Sequence, residues 1–205
     1  MSESDIDKYD RLAEQYSELD YADAEAYYRR RAALVVDRGP RLPAGGSVLD
    51  LACGDGGLGV ALLALGFDYR GVDASSGMVG VARRRLGDRI VEGTFEYRPP
   101  APVDATTIFR SLPMVPDRRS LFEQVRSFTR VKLVFDFDPR TLSRHAIEDD
   151  LRVAGWGPVA VRPFLMPQRA RLPGPLQRAL YAVEGLPGAD VVTSLRFPLL
   201  VSASA

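Results

Sequence analysis

This chain is poor in the residues from which many sites are built. Its 205 residues include one cysteine, Cys53, and one histidine, His145, and its 27 lysines and arginines cancel its 27 aspartates and glutamates. A lone cysteine excludes an internal disulfide, and no metal site is expected. Cys53 lies in a glycine-rich stretch, which points to a small residue required by packing more than to a redox or nucleophilic thiol. Zero net charge removes the broad electrostatic attraction that nucleic-acid binding depends on, so no nucleic-acid partner is expected. No apolar run reaches the roughly 18 to 20 residues of a membrane-spanning helix. The opening Met-Ser-Glu-Ser-Asp is acidic and polar, without the order of a signal peptide, and the expectation is a cytoplasmic protein. Repeats, low-complexity segments and shifts of composition toward a second domain are all missing. The expectation is one domain over 1–205.

Charge is balanced in total but uneven along the chain. Acids dominate the opening segment (Asp5, Asp7, Asp10, Glu14, Glu18, Asp20), and arginines dominate the last third (Arg152, Arg162, Arg169, Arg171, Arg178, Arg196). Two solvated faces account for this, and a positive pocket for an anionic substrate is the sharper alternative.

What the chain does have is Val48-Leu49-Asp50-Leu51-Ala52-Cys53-Gly54-Asp55-Gly56-Gly57-Leu58-Gly59. A short apolar run from Ser47 to Ala52 leads into clustered glycines and then an apolar helix, the pattern of strand, tight turn and helix. Glycines 54, 56 and 57 allow positive φ and remove Cβ atoms, so a nucleotide-like ligand can lie against bare peptide groups at a helix N-terminus. Gly54, Gly56 and Gly59 match G-x-G-x-x-G, which would suit a nicotinamide dinucleotide. Asp50 stands against that reading, because a carboxylate just before the turn would repel a pyrophosphate and attract an ammonium group.

Around this turn the expected order alternates helices and strands. Helices are expected over Ser4–Glu18 and Ala22–Asp37, and strands over Ser47–Ala52, Phe67–Val72, Arg89–Glu92, Ala105–Phe109, Val131–Phe135 and Val159–Arg162. Further helices follow the first, second, fourth and fifth strands. A last strand, about Val191 to Ser202, contains Pro198 and suits an irregular or edge position. The alternation predicts a doubly wound, mostly parallel α/β sheet, with ligands beyond the carboxyl ends of its strands. Asp73 ends the second strand, some 20 residues beyond the turn, where a carboxylate can accept both ribose hydroxyls.

The stretch Val48 to Gly56 resembles the first motif of class I S-adenosylmethionine-dependent methyltransferases, an acid followed by alternate glycines. Gly71-Val72-Asp73-Ala74-Ser75-Ser76-Gly77-Met78 resembles the second. The resemblance implies a seven-stranded Rossmann-like sheet ending in an antiparallel hairpin, with residues 41–205 as the cofactor-binding core. It implies S-adenosylmethionine as cofactor, Asp50 serving its ammonium end, and Ala52, Gly54 and Gly56 forming the turn beneath it. Ala52 replaces a family glycine, and that replacement implies negative φ there. Ala74 and Met78 follow the ribose acid, Ala74 lying against adenine. Relatives usually carry Gly-Asp where this chain has Gly93-Thr94, so Thr94 and Phe95 take over adenine recognition with one hydrogen bond and apolar contact. Tyr16, in a segment similar to the family's opening, belongs to the cover over the cofactor. The loop after the fourth strand, beginning at Phe109 and Arg110, flanks the reactive methyl group, with Arg110 a candidate for substrate contact.

A substrate needing proton removal would find Asp136, Asp138 or His145 as candidate bases. No Asn-Pro-Pro-Tyr motif is present, which argues against the family's adenine- and glutamine-directed members. The expected activity is methyl transfer to oxygen or nitrogen of a small polar metabolite. The alternatives are a nicotinamide-dependent oxidoreductase and a protein that holds the cofactor without turning it over.

Overall fold

The chain begins with α1 (Glu3–Leu12), a single 3₁₀ turn (Ala13–Gln15) and α2 (Tyr16–Asp20), followed by α3 (Ala24–Asp37). The computed structural model describes residues 3–186, 188, 189 and 197–205. One continuous helix was expected over Ser4–Glu18, and the chain instead breaks at Gln15, whose φ of −110° leaves the helical range. The break serves two packing surfaces. Tyr9 and Ala13 pack on the helix after the second strand, while Tyr16, Ser17 and Asp20 turn toward the sheet. Asp23 caps α3 by accepting from the Ala26 N–H, an arrangement worth about 1 kcal/mol.

The remaining elements are β1 (Ser47–Leu51), α4 (Gly57–Ala64), β2 (Asp68–Asp73), α5 (Ser76–Leu86), β3 (Ile90–Glu92), β4 (Val103–Ile108), α6 (Arg118–Arg126), β5 (Thr129–Phe137), α7 (Arg144–Val153), β6 (Val159–Pro163), α8 (Gly174–Glu184) and β7 (Leu199–Ser204). Ser75, Asp117 and Ser143 cap α5, α6 and α7 through their side chains.

The strands form one seven-stranded sheet in the order β3-β2-β1-β4-β5-β7-β6. β7 runs antiparallel to β5 and β6, and the other pairings are parallel. Apolar side chains cover both faces, as parallel strands require. Along β1, Val48 joins a core cluster with α3, α4 and α5, whereas Leu49 and Leu51 join one with α6 and α7. By the strand's alternation Asp50 shares the face of Val48.

Two boundaries differ from expectation for physical reasons. β5 extends two residues beyond Phe135, because Asp136 and Phe137 pair with Leu200 and Leu199 of β7; Asp136 therefore lies within the strand. Pro198 does not make β7 an edge strand, since the strand starts after it and lies between β5 and β6, while the Pro198 carbonyl accepts from the Phe164 N–H. The expected start of that strand, residues 191–196 and with it Arg196, lies outside the described residues.

Candidate functional site

The carboxyl ends of β1, β2 and β4 meet the glycine turn at one edge of the sheet. Gly54 and Gly56 have φ of +56° and +78°, as a turn this tight requires. Gly57 answers a different need, because a Cβ there would sit 2.1 Å from the Tyr28 ring. Ala52 corrects the expectation of negative φ, for its φ is +61°. The turn imposes this left-handed conformation whichever residue occupies it, and alanine carries the strain that glycine would avoid. Among the described residues Arg110, at +59° after β4, is the other non-glycine residue with positive φ. Both strained residues stand at strand ends on the same edge.

Three small cavities of about 50, 40 and 60 Å³ surround Ala52, which lines all of them. The first is bounded by Gly54, Asp73, Met78, Phe109, Tyr16 and Arg110. The second adds Asp50, Arg31, Tyr28 and Cys53. The third is formed with Ile6, Ala74, Gly93, Thr94 and Phe95. Every residue expected at the cofactor therefore lines one of these cavities except Gly56, whose missing Cβ makes room for Leu86 and Ala82 of α5.

Three carboxylates organise the turn. Asp73, nearly buried, accepts from the Gly54 N–H at 2.7 Å and the Ser75 N–H at 3.0 Å. Burial raises its pKa, and those two amides oppose the rise. Asp50 accepts from Thr107 Oγ1 at 2.6 Å and Tyr69 Oη at 2.9 Å, and burial pushes its pKa up to about 6. Asp55 is buried and accepts from Ser17, from Tyr28 Oη at 3.0 Å and from Arg85 Nη1 at 2.9 Å. It thereby ties α2, α3 and α5 to the glycine turn. Burial also raises the Cys53 thiol well above its usual range, which accords with a packing role.

The cover is fastened twice more. Asp10 of α1 accepts from Ser75 Oγ at 2.6 Å and the Gly77 N–H at 2.9 Å, and these bonds hold its pKa down. Arg110 Nη1 reaches Tyr16 Oη, Asp20 and Tyr21 Oη at 2.9, 2.9 and 2.7 Å. Its own N–H donates to Asp136 at 2.6 Å.

Arg31 is the residue that sequence reasoning missed most plainly. It is 3% exposed, donates through Nη2 to Asp136 and Tyr27 Oη, both at 2.7 Å, and lies against the rings of Phe109 and Tyr27. It stands four residues after Tyr27 on α3, a spacing that puts it on the buried face. Its Nε and the Oγ of Ser111 are buried and have no partner among the described residues. Both residues line the cavities around Ala52. Unpartnered buried donors carry a desolvation cost that a polar ligand removes. In their chemistry, the opposite charges of Asp50 and Arg31 suit a zwitterionic amino-acid tail, and the polar groups and apolar walls beyond Ala52 suit the ribose and base of a nucleoside.

A fourth cavity, about 500 Å³, opens beyond Arg110. Asp136, Asp138 and Arg169 converge on it, and Phe164 and Met166 supply apolar wall. Charged and apolar side chains thus meet in one cavity. Tyr9, Tyr16 and Met114 line the cavity at Asp73, and Leu112 is buried outside both. Asp138 is held by Arg140 through Nε and Nη2, which lowers its pKa. His145 lines none of these four cavities and lies exposed on α7 with Nε2 3.2 Å from Asp149. Among the described residues no group that could hold a metal is present, and no helix is long and apolar enough to cross a membrane.

Residues 48–132 match the family model described as "Methyltransferase domain". Among solved structures, a Haloferax volcanii protein in complex with the Trm112 methyltransferase activator has 18% identity and a TM-score of 0.67, with 97% of this chain and 96% of that chain covered. A Thermotoga maritima SAM-dependent methyltransferase, described as a possible histamine N-methyltransferase, has 16% identity and a TM-score of 0.63, with 96% and 97% covered. The glycopeptide N-methyltransferase MtfA, complexed with S-adenosyl-L-homocysteine, has 17% identity and a TM-score of 0.63, with 90% and 91% covered. No curated protein matches the sequence.

Proposed function

We propose that this chain is an S-adenosylmethionine-dependent methyltransferase, a reading supported by the family model over residues 48–132 and by the shared fold, and that it methylates oxygen or nitrogen of a small polar metabolite bound in the 500 Å³ cavity. Its cover (1–40) and core (41–205) work as one unit, in the cytoplasm. The observation that carries the reading is the place of Arg110, which borders both the cavities around Ala52 and the large one. An acceptor reaching Arg110 would stand next to the cofactor.

Bound S-adenosylmethionine supplies a methyl group made electrophilic by its sulfonium. The chain's residues bind and orient. Asp50 would take the ammonium and Arg31 the carboxylate of the amino-acid tail, Asp73 the ribose hydroxyls, and Ala74, Thr94 and Phe95 the base. Asp136 has one oxygen on Arg31 and the other on the Arg110 N–H, and Asp138 is chelated by Arg140. Neither is free as a base, so a proton lost by the acceptor passes to water. Catalysis would then rest on alignment, with Arg110 and the lining of the large cavity holding the acceptor toward the cavities around Ala52.

A panel of small alcohols, amines and carboxylates, assayed for S-adenosylhomocysteine release with wild type beside Arg110→Ala, tests this reading. At least one polar acceptor should turn over, and Arg110→Ala should lower its kcat/KM by about tenfold or more, through lost positioning of cover and acceptor. Turnover confined to neutral apolar acceptors and indifferent to Arg110 would contradict it.

Asp50 gives a prediction with a defined pH window. Its folded-state pKa of about 6 lies above the unfolded value of 3.8, so the folded chain loses stability as pH rises from about 4 to about 6. The loss amounts to roughly 1–3 kcal/mol, at about 1.4 kcal/mol per pH unit. Asp50→Asn should therefore raise the urea midpoint of the ligand-free protein at pH 7. The same change should weaken S-adenosylhomocysteine binding and leave 5′-methylthioadenosine, which has no amino-acid tail, unaffected. Wild-type affinity for S-adenosylhomocysteine should fall as pH drops through about 6. Equal losses for both ligands would show that Asp50 reads something other than the ammonium group.

A further inference from the structure

The large cavity beyond Arg110 has a charge balance that narrows its ligand. Among the described residues, three arginines and two aspartates line it: Arg110, Arg140, Arg169, Asp136 and Asp138. Four of these five are already matched. Arg140 chelates Asp138, Arg110 pairs with Asp20 of α2, and Asp136 pairs with buried Arg31. Arg169 alone has no hydrogen-bond or ion-pair partner among the described residues, and it is exposed at the cavity's edge.

Its backbone is nevertheless fixed. The Leu165 N–H donates to buried Glu184, which also pairs with Arg30 of α3, and the Gln168 carbonyl accepts from the Ala22 N–H at 2.7 Å. Gln168 Nε2 donates to Tyr27 Oη. The residue before Arg169 is thus tied to the cover, and the guanidinium is presented from a defined base. Inside the cavity Phe137, Phe164, Met166 and Phe197 form an aromatic and thioether wall.

We propose that this cavity takes a mainly apolar, ring-bearing acceptor with a single carboxylate, the carboxylate meeting Arg169 at the mouth and the methyl-accepting atom lying at the opposite end, toward Arg110. The inference rests on the cavity being the acceptor site of the reading above. One unmatched cation balances one negative charge. A phosphate monoester or diphosphate would bring a second negative charge for which no unmatched cation remains among the lining residues, and a cationic acceptor would leave Arg169 repelling it. The apolar wall narrows the small polar acceptor of that reading to one whose polarity is concentrated in its carboxylate, because a sugar-like body would lose water from hydroxyls that the wall offers too few groups to replace. A body of two fused rings is well within the volume.

The test uses the full chain saturated with S-adenosylhomocysteine, with 2-naphthoate and 2-naphthamide as probes of equal shape and different charge. Calorimetric titration should show the acid binding about tenfold more tightly than the amide, the size of one charge-assisted contact. Arg169→Gln should abolish that difference, Arg169→Lys should keep most of it, and both variants should bind S-adenosylhomocysteine like wild type. Equal affinities for acid and amide, a preference surviving in Arg169→Gln, or no binding of either probe to the loaded protein would each overturn the proposal while leaving the cofactor reading intact. Failure of wild type to bind S-adenosylhomocysteine would remove the reading itself and the proposal with it.

Discussion

Replacing Asp73 with alanine is expected to weaken S-adenosylhomocysteine binding by about 10²- to 10⁴-fold, more than any other single side-chain truncation at the site. Two charge-assisted hydrogen bonds to ribose hydroxyls are lost, each worth about 1.5–3 kcal/mol. The structure adds a second cause to the one legible in sequence. Asp73 also accepts from the Gly54 and Ser75 amides, so it holds the glycine turn and the start of α5 in register while offering its remaining lone pairs to the ligand. Stability should fall as well, because both amides lose their acceptor in a nearly buried place. Near-ultraviolet circular dichroism, run beside the calorimetry, separates the two effects. A folded Asp73→Ala protein with wild-type affinity would contradict the ribose assignment.

Arg31→Met should be the most destabilising change among the site residues, by about 3–5 kcal/mol, because it leaves Asp136 buried with an uncompensated charge. Asp136 is 5% exposed and would keep only the Arg110 N–H. Against a whole-domain stability of about 5–15 kcal/mol, such a loss brings the variant close to unfolding at moderate temperature. Urea midpoints at low temperature measure it. The double variant Arg31→Met/Asp136→Asn should regain part of the loss, since the orphaned charge is gone, whereas cofactor affinity should stay low in both. If Arg31→Met unfolds at the wild-type urea concentration, the pair is not the fastening described here. If it is destabilised yet binds S-adenosylhomocysteine normally, Arg31 holds the fold without reading the ligand.

The parts of the site legible in sequence are those that follow from local rules. Ser75 caps α5 because a serine before a helical run satisfies an amide three residues on, and Asp73 falls at the ligand edge because strand ends in a parallel sheet do. Arg31, Asp55 and Asp10 escaped because their roles depend on partners far along the chain: Asp136 for Arg31, Ser17 and Arg85 for Asp55, Ser75 for Asp10. Arg31 sits in a run of three arginines that reads as a solvated face, and only the Tyr27 spacing hints otherwise. Ala52 misled for the opposite reason. The residue type argued for an ordinary φ, yet the turn between Leu51 and Gly54 dictates the backbone, and alanine tolerates it at a cost. His145 drew attention as the only histidine, although Asp149 four residues later already marks a helix-surface pair. Arg110 was legible only as a candidate for substrate contact. The structure gives it Asp20 and two tyrosines of the cover, and its position beside both sets of cavities keeps the substrate role as a proposal.

The claim on which everything above depends is that the edge around Ala52 holds S-adenosylmethionine and not a dinucleotide. Side-by-side calorimetric titration of the purified chain with S-adenosylhomocysteine and with NAD tests it directly. Asp50 and Arg31, which line one cavity, would bracket a zwitterionic tail, and buried Asp50 would oppose a pyrophosphate, so saturable one-site binding of S-adenosylhomocysteine and no measurable heat with NAD are expected. Binding of NAD, or of neither ligand by a folded protein, would contradict it.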